Sequence, residues 1–166
     1  MDEPSPIVRL RPTDAADLDF VVALERSPEN AAFVGQWSRD EHHAAIADAR
    51  REHHVIHLGG AGDPVGYLIA YDLLDAGFEV YVKRDVVAEK SRGVGRLALR
   101  QFADHAFRDL GAQYVWLSVF AGNVRAQRSY AALGFRVAEL AAQRRAAMHA
   151  AVGGFSDRSL IMMLDR

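Results

Sequence analysis

The chain has no cysteine. That excludes disulfides, thiolate metal sites and a cysteine nucleophile, and it suits a reducing cytoplasm. It has no excess of either charge. Against 22 Asp and Glu stand 20 Lys and Arg, a formal net charge of −2, which offers no general attraction to nucleic acid or to an anionic membrane. No apolar run approaches the ~20 residues of a membrane-crossing helix. Met1 to Pro6 is acidic and proline-containing rather than signal-like. There is no internal repeat and no long low-complexity linker. These absences lead us to expect a soluble, cytoplasmic protein with no nucleic-acid or membrane partner.

What is present is the balance of a globular domain: 166 residues, 50% of them hydrophobic and 25% charged. A chain of this length buries a core without staples and fits one domain, residues 1–166. Ile7 to Arg11 alternates as a short strand, and Thr13 is placed to cap a helix carrying Leu18, Val21, Val22 and Leu24. Ser38 and Glu41 form a capping box for a second helix to about Arg51. Val55 to Leu58, Val65 to Leu74 and Phe78 to Val87 read as strands separated by glycine-rich turns. From Val94 the apolar spacing becomes helical and ends at Gly111. Tyr114 to Phe120 is apolar enough for a strand buried on both faces. Asn123 caps another helix that stops at Gly134, and Phe135 to Leu140 and Ser159 to Leu164 close the set as strands. Ala141 to Val152, rich in Ala and Arg, fits a helix or an irregular segment. An antiparallel front half followed by a strand–helix–strand crossover makes a mixed α/β sheet.

The segment Lys90-Ser91-Arg92-Gly93-Val94-Gly95 lies between a strand and a helix. Glycines allow backbone N–H groups to converge, and the helix start adds partial positive charge, a combination suited to phosphate or diphosphate. The same glycines also serve as a plain turn before a helix. Gly93, Gly95 and Ala98 fit the dinucleotide pattern G-x-G-x-x-G/A, but four expected strands precede them. The strand that follows, Tyr114 to Phe120, supplies no carboxylate for a ribose. No Walker-type run is present either.

Downstream, Asn123, Ala126, Tyr130, Gly134 and Phe135 form N-x-x-A-x-x-x-Y-x-x-x-G-F. Helix capping and packing account for part of this spacing. Taken with the glycine segment, from about Val82 to Phe135, it resembles the coenzyme-A half of a GCN5-related N-acetyltransferase (GNAT). The phrasing is closest to the branch of ribosomal-protein N-terminal and small-amine acetyltransferases. The glycine segment departs from that family's R/Q-x-x-G-x-G/A at one place, where Lys90 keeps the charge but not a planar fork.

The resemblance implies a central, mostly antiparallel sheet of about seven strands flanked by about four helices. It implies direct attack of a neutral amine on the acetyl carbonyl of acetyl-CoA, with no covalent enzyme intermediate and no metal. The cofactor would be held by Val86, Val87, Lys90, Arg92, Gly93, Val94, Gly95 and Asn123. Tyr130 would donate to the departing thiolate, and Glu79 is the first candidate for the base. Asp85, a carboxylate within a valine-rich strand, is the second, and a water relay is equally admissible. Phe33 and Trp37, with Arg144, Arg145 and His149, are candidates for the acceptor pocket as well as for packing or solvated surface. The acceptor would be an amine-bearing small molecule or a peptide N-terminus, and the resemblance admits a homodimer. The alternative is a catalytically silent CoA-binding or sensor module of the same fold. The pairs His42-His43 and His53-His54 suggest a metal cluster only on paper, since adjacent helical residues point about 100° apart.

Overall fold

The computed structural model describes residues 6–60, 62–90 and 92–166. Ser91 of the glycine segment lies outside the described residues. The first strand, β1 (Val8–Pro12), pairs antiparallel with β2 (Arg51–Leu58), placing Leu10 opposite Ile56. Three helices separate them: α1 (Leu18–Arg26), α2 (Pro28–Ala31) and α3 (Arg39–Ala47). Then follow β3 (Gly66–Leu73), β4 (Glu79–Val87), α4 (Val94–Arg108), β5 (Tyr114–Phe120) and α5 (Val124–Ala131). The chain closes with β6 (Arg136–Val137), α6 (Ala142–Ala151) and β7 (Ser159–Asp165).

The seven strands form one sheet in the order β1-β2-β3-β4-β5-β7-β6. The parallel ladder of β4 and β5 runs from Glu79 opposite Tyr114 to Val82 opposite Leu117, and β7 pairs antiparallel with both β5 and β6. This is the mixed α/β, mostly antiparallel sheet expected. The helices number six rather than about four among the described residues. One addition is the single turn α2, started by Pro28 in its first position. The other is α6, where Ala, Gln and Arg favour helix over the irregular alternative.

Several boundaries moved for local reasons. The expected cap Thr13 yields to Asp14, whose Oδ1 accepts from the Ala16 N–H at 2.8 Å while Asp17 reaches back to the Asp14 N–H at 2.9 Å. This reciprocal box opens a 3₁₀ turn ahead of α1. The Ser38–Glu41 box is present, with Glu41 accepting from the Ser38 N–H at 2.7 Å. Its helix stops at Ala47 instead of Arg51, because Asp48 adopts an extended ψ of 114° and accepts from the Arg50 N–H at 2.9 Å. That turn delivers the chain into β2 earlier than the expected Val55. The strand expected over Phe135 to Leu140 shrinks to Arg136–Val137, an exposed edge held only by β7. Short edges are a usual protection against unwanted pairing.

The chain divides into two compact units, residues 6–70 with 84–102, and residues 71–83 with 103–166. In the first, Leu18, Val21, Leu68, Ile69, Leu99 and Phe102 are buried. Ile56, Val94 and Ala98 pack there with Val8, Leu10, Leu58, Val65 and Val87, which seats the first turn of α4. In the second, Trp116, Val80, Phe135 and Ile161 are buried, and the Tyr81 and Trp116 rings lie 4.3 Å apart. No helix among the described residues is long and apolar enough to cross a membrane.

Candidate functional site

In the first unit the glycine segment joins β4 to α4. Gly93 takes φ +73°, a backbone state open to glycine at little cost, and its carbonyl accepts from the Leu97 N–H at 3.0 Å to begin the helix. The amides of the first turn, from Val94 on, are those a helix end leaves without an intrahelical acceptor. Val94 itself points down into the core. Val86 is buried, Val87 is half-buried, and the Ala88 N–H donates to the Val65 carbonyl at 2.8 Å, so the end of β4 is firmly placed.

The two basic residues of the loop are held by protein groups. The Lys90 amine donates to the Val87 carbonyl at 2.9 Å and to Asn30 Oδ1, which ties the loop to α2. Arg92 pairs with Glu89 at 2.7 Å, and both are well exposed. Beneath the helix start lies Asp85. The residue is half-buried, yet its Oδ1 is sealed from solvent and meets no hydrogen-bond donor among the described residues. A β-carbon on Gly95 would lie 3.3 Å from Asp85 Oδ2 and 3.5 Å from Oδ1, so a glycine here leaves room for the carboxylate. Burial pushes the Asp85 carboxyl up to about 7, against the lowering field of Lys90.

The same unit contains a polar cluster that sequence reasoning missed. Glu25 on α1 is fully buried and accepts from the Tyr67 hydroxyl at 2.7 Å, from the Trp37 N–H at 2.9 Å and from Arg84 Nη1. His42 Nε2 lies 3.1 Å from Glu25 Oε1, within ion-pair range but off the angle of a good hydrogen bond. His42 Nδ1 meets His53 Nε2 at 3.0 Å, and His53 Nδ1 meets Thr13 Oγ1 at 2.8 Å. Burial works to raise the Glu25 carboxyl, but the close His42 ring, the Trp37 N–H and the charge of Arg84 outweigh it and hold it below the ordinary range. Burial, reinforced by the charges of His42 and His54, depresses His53 to about 3. The Trp37 ring covers the Arg84 guanidinium at 4.3 Å, so Trp37 packs on this cluster, whereas Phe33 is 59% exposed. The signal for Glu25 was in the sequence: Leu18, Val21 and Glu25 follow the three- and four-residue spacing of one helix face.

Of the paired histidines, His42 and His53 are buried in this cluster, His43 is exposed, and His54 pairs with Glu52 at 2.8 Å. Among the described residues no three of His, Asp and Glu converge in a metal-binding set.

In the second unit Glu79 opens β4 and is buried, 9% exposed. Its Oε1 lies 3.5 Å from Arg144 Nη2 on α6, which gives the Ala- and Arg-rich segment a definite role. Arg145 donates to the Ser159 carbonyl at 2.7 Å and stacks over Phe155, and His149 contacts the Phe155 carbonyl at 3.0 Å, so both are structural fasteners of the loop before β7. Asn123 Oδ1 accepts from the Ala126 N–H at 3.2 Å, the expected cap of α5. Tyr130 is half-buried on α5, its ring 6.1 Å from that of Phe135. Val86, Val87, Lys90, Arg92, Gly93, Val94 and Gly95 therefore come together in one unit, while Glu79, Asn123 and Tyr130 belong to the other.

Comparison with known proteins gives one family. The acetyltransferase (GNAT) family matches residues 18–135. No curated protein matches the sequence significantly. Among solved structures, the chain is similar to spermidine N-acetyltransferase from Vibrio cholerae in complex with CoA and spermine, at 16% identity and a TM-score of 0.75, covering 95% of each chain. It is equally similar to the aminoglycoside acetyltransferase AAC(6')-Ib in complex with coenzyme A and kanamycin, at 17% identity and a TM-score of 0.75, covering 96% of this chain and 95% of that one. A domain from Methanocaldococcus jannaschii aligns at 14% identity and a TM-score of 0.71, covering 97% and 99%. At these identities the structural likeness shows the fold.

Proposed function

This chain belongs to the acetyltransferase (GNAT) family, and on that premise we propose that it transfers an acetyl group from acetyl-CoA to a primary amine. The observation that carries the proposal is the start of α4. Gly93 turns the backbone at φ +73°, and Gly95 adds no side chain to a helix end whose first amides have no intrahelical acceptor. An α-helix N-terminus built this way suits a diphosphate, so the residues present fit the cofactor.

In this reading the amides of Arg92 to Gly95 bind the diphosphate. Lys90 contributes by tying the loop to Asn30 and the Val87 carbonyl rather than by reaching outward. Val86 and Val87, at the end of β4, lie beyond the ladder with β5, which stops at Val82 opposite Leu117; their backbone is assigned to the pantetheine arm. Asn123 serves chiefly as the cap that starts the Tyr130 helix. The bound thioester supplies an activated acetyl carbonyl. Glu79 takes the proton that the amine loses as its nitrogen bonds to that carbon, since an alkylamine with a pKa of about 10.4 is mostly protonated at neutral pH. Tyr130 supplies a proton to the sulfur as the C–S bond breaks.

The proteins this fold resembles are named with spermine and with kanamycin, both polyamines, so polycationic primary amines head the acceptor panel. The test is release of CoA from acetyl-CoA across such a panel, with peptide N-termini included. Turnover above background only with an added amine supports the proposal. Acetyl-CoA binding with no amine-dependent turnover would make the chain a CoA-binding module instead.

A further inference from the structure

Asp85 is a carboxylate of the first unit with a sealed oxygen that the proposed chemistry does not use. Glu25 receives donors from three residues, Tyr67, Trp37 and Arg84, with His42 Nε2 at 3.1 Å beside them. Asp85 Oδ1 receives none among the described residues, although it is sealed from water. An ionised carboxylate in that position is costly, and proteins usually satisfy such a group or keep its proton on it. Its location gives the cost a consequence. Both oxygens lie within 3.5 Å of the place a β-carbon on Gly95 would take, in the helix turn whose amides would hold a diphosphate.

The charges around it are few. Lys90 is the charged group whose field reaches it, and its amine is already shared between Asn30 and the Val87 carbonyl. Arg92 is held by exposed Glu89, and Arg96 extends toward Gly93. Lys83, two residues back on β4, turns its amine over the Tyr71 ring at 5.6 Å. The residues of β2 and the β3 approach packed at this turn, Ile56, Leu58 and Val65, are apolar. The field of Lys90 favours an Asp85 anion, but burial outweighs it, and no described residue donates a hydrogen bond to Oδ1.

We propose that Asp85 is the proton-linked control group of the anion site at the start of α4, so that binding a diphosphate there requires a proton on Asp85. This rests on the cofactor reading above. Two anions at one helix turn repel, and the turn accommodates the ligand's charge at the expense of the carboxylate's own. Free Asp85, raised to about 7, loses its proton just above neutrality, so from there upward each binding event takes up one proton. Affinity then falls about tenfold per pH unit above neutrality. Lys and Arg side chains do not titrate in that window, and a phosphate monoester with a second pKa of about 6 is already ionised.

The experiment is calorimetric titration of acetyl-CoA at about pH 7 and about pH 9, in buffers of different ionisation enthalpy, into wild type and Asp85→Asn. The expected result is about one proton taken up and a roughly hundredfold loss of affinity for wild type, with neither in the variant. The same pH dependence in both proteins overturns the role of Asp85 and leaves the cofactor reading standing. Binding to neither protein at either pH overturns both. A ligand-free arm is independent of the cofactor. The melting temperature of Asp85→Asn minus that of wild type should grow from about pH 4 to about pH 7 and then hold level, because a buried acid raised to about 7 loses its stabilising proton over that range. A difference that stays flat across the range shows that Asp85 ionises like an exposed carboxyl and overturns the inference.

Discussion

His42 Nδ1 and His53 Nε2 meet at 3.0 Å with both rings buried, and His53 in turn holds Thr13 Oγ1 at 2.8 Å. A neutral His53 serves this chain with one N–H and one lone pair; a protonated one has no lone pair left to accept with. Since burial first, and then the charges of His42 and His54, depress it to about 3, the unfolded chain binds a proton there that the folded chain refuses. The stability His53 contributes is present above about pH 6.5 and is lost as pH falls toward 3, at roughly 1.4 kcal/mol per unit. Urea unfolding of wild type and His53→Gln across that range should show the steeper acid loss in wild type. Parallel curves would mean that His53 titrates normally.

Glu25→Ala removes the acceptor shared by Tyr67, Arg84 and the Trp37 N–H, and the carboxylate beside His42. It strands a buried guanidinium, and removing one member of such a pair costs about 3–5 kcal/mol. The denaturation midpoint should fall accordingly, and a loss below about 1 kcal/mol would show that the cluster relaxes around the gap.

Much of this was legible in the amino-acid order, because the relevant signals are local. Ser38 with Glu41, Asn123 before α5 and the period change at Val94 each act within one turn, and the structure has them where expected. Thr13 was misread because Asp14 with Asp17 makes a stronger cap three residues apart. The Glu79–Arg144 and Glu25–Arg84 contacts join residues 65 and 59 positions apart, and no periodicity reports such a meeting. The glycine segment of the candidate site was readable for the opposite reason: a tight turn into a helix is written in consecutive residues.

Glu79→Gln keeps the shape of the side chain and its contact with Arg144 while removing the basic oxygen. Amine-dependent kcat should drop by about a hundredfold or more, with the KM for acetyl-CoA little changed. An unaltered kcat would assign deprotonation of the amine to water.

Tyr130→Phe deletes one hydroxyl from α5 and keeps the ring near Phe135. Loss of a general acid should lower kcat by about a hundredfold, and the loss should shrink with acyl donors whose thiolate is a better leaving group. A uniform loss across donors would mean that the hydroxyl positions the helix instead.

The central claim is that acetyl-CoA binds at the glycine turn into α4. It is tested most directly by isothermal titration of acetyl-CoA into wild type and Gly95→Glu, with circular dichroism to confirm that both are folded. The variant places an anion and its bulk where a β-carbon already comes within 3.3 Å of Asp85. Micromolar binding by wild type that disappears in the folded variant is the expected result. Binding of equal strength in both proteins, or none in wild type, would contradict it.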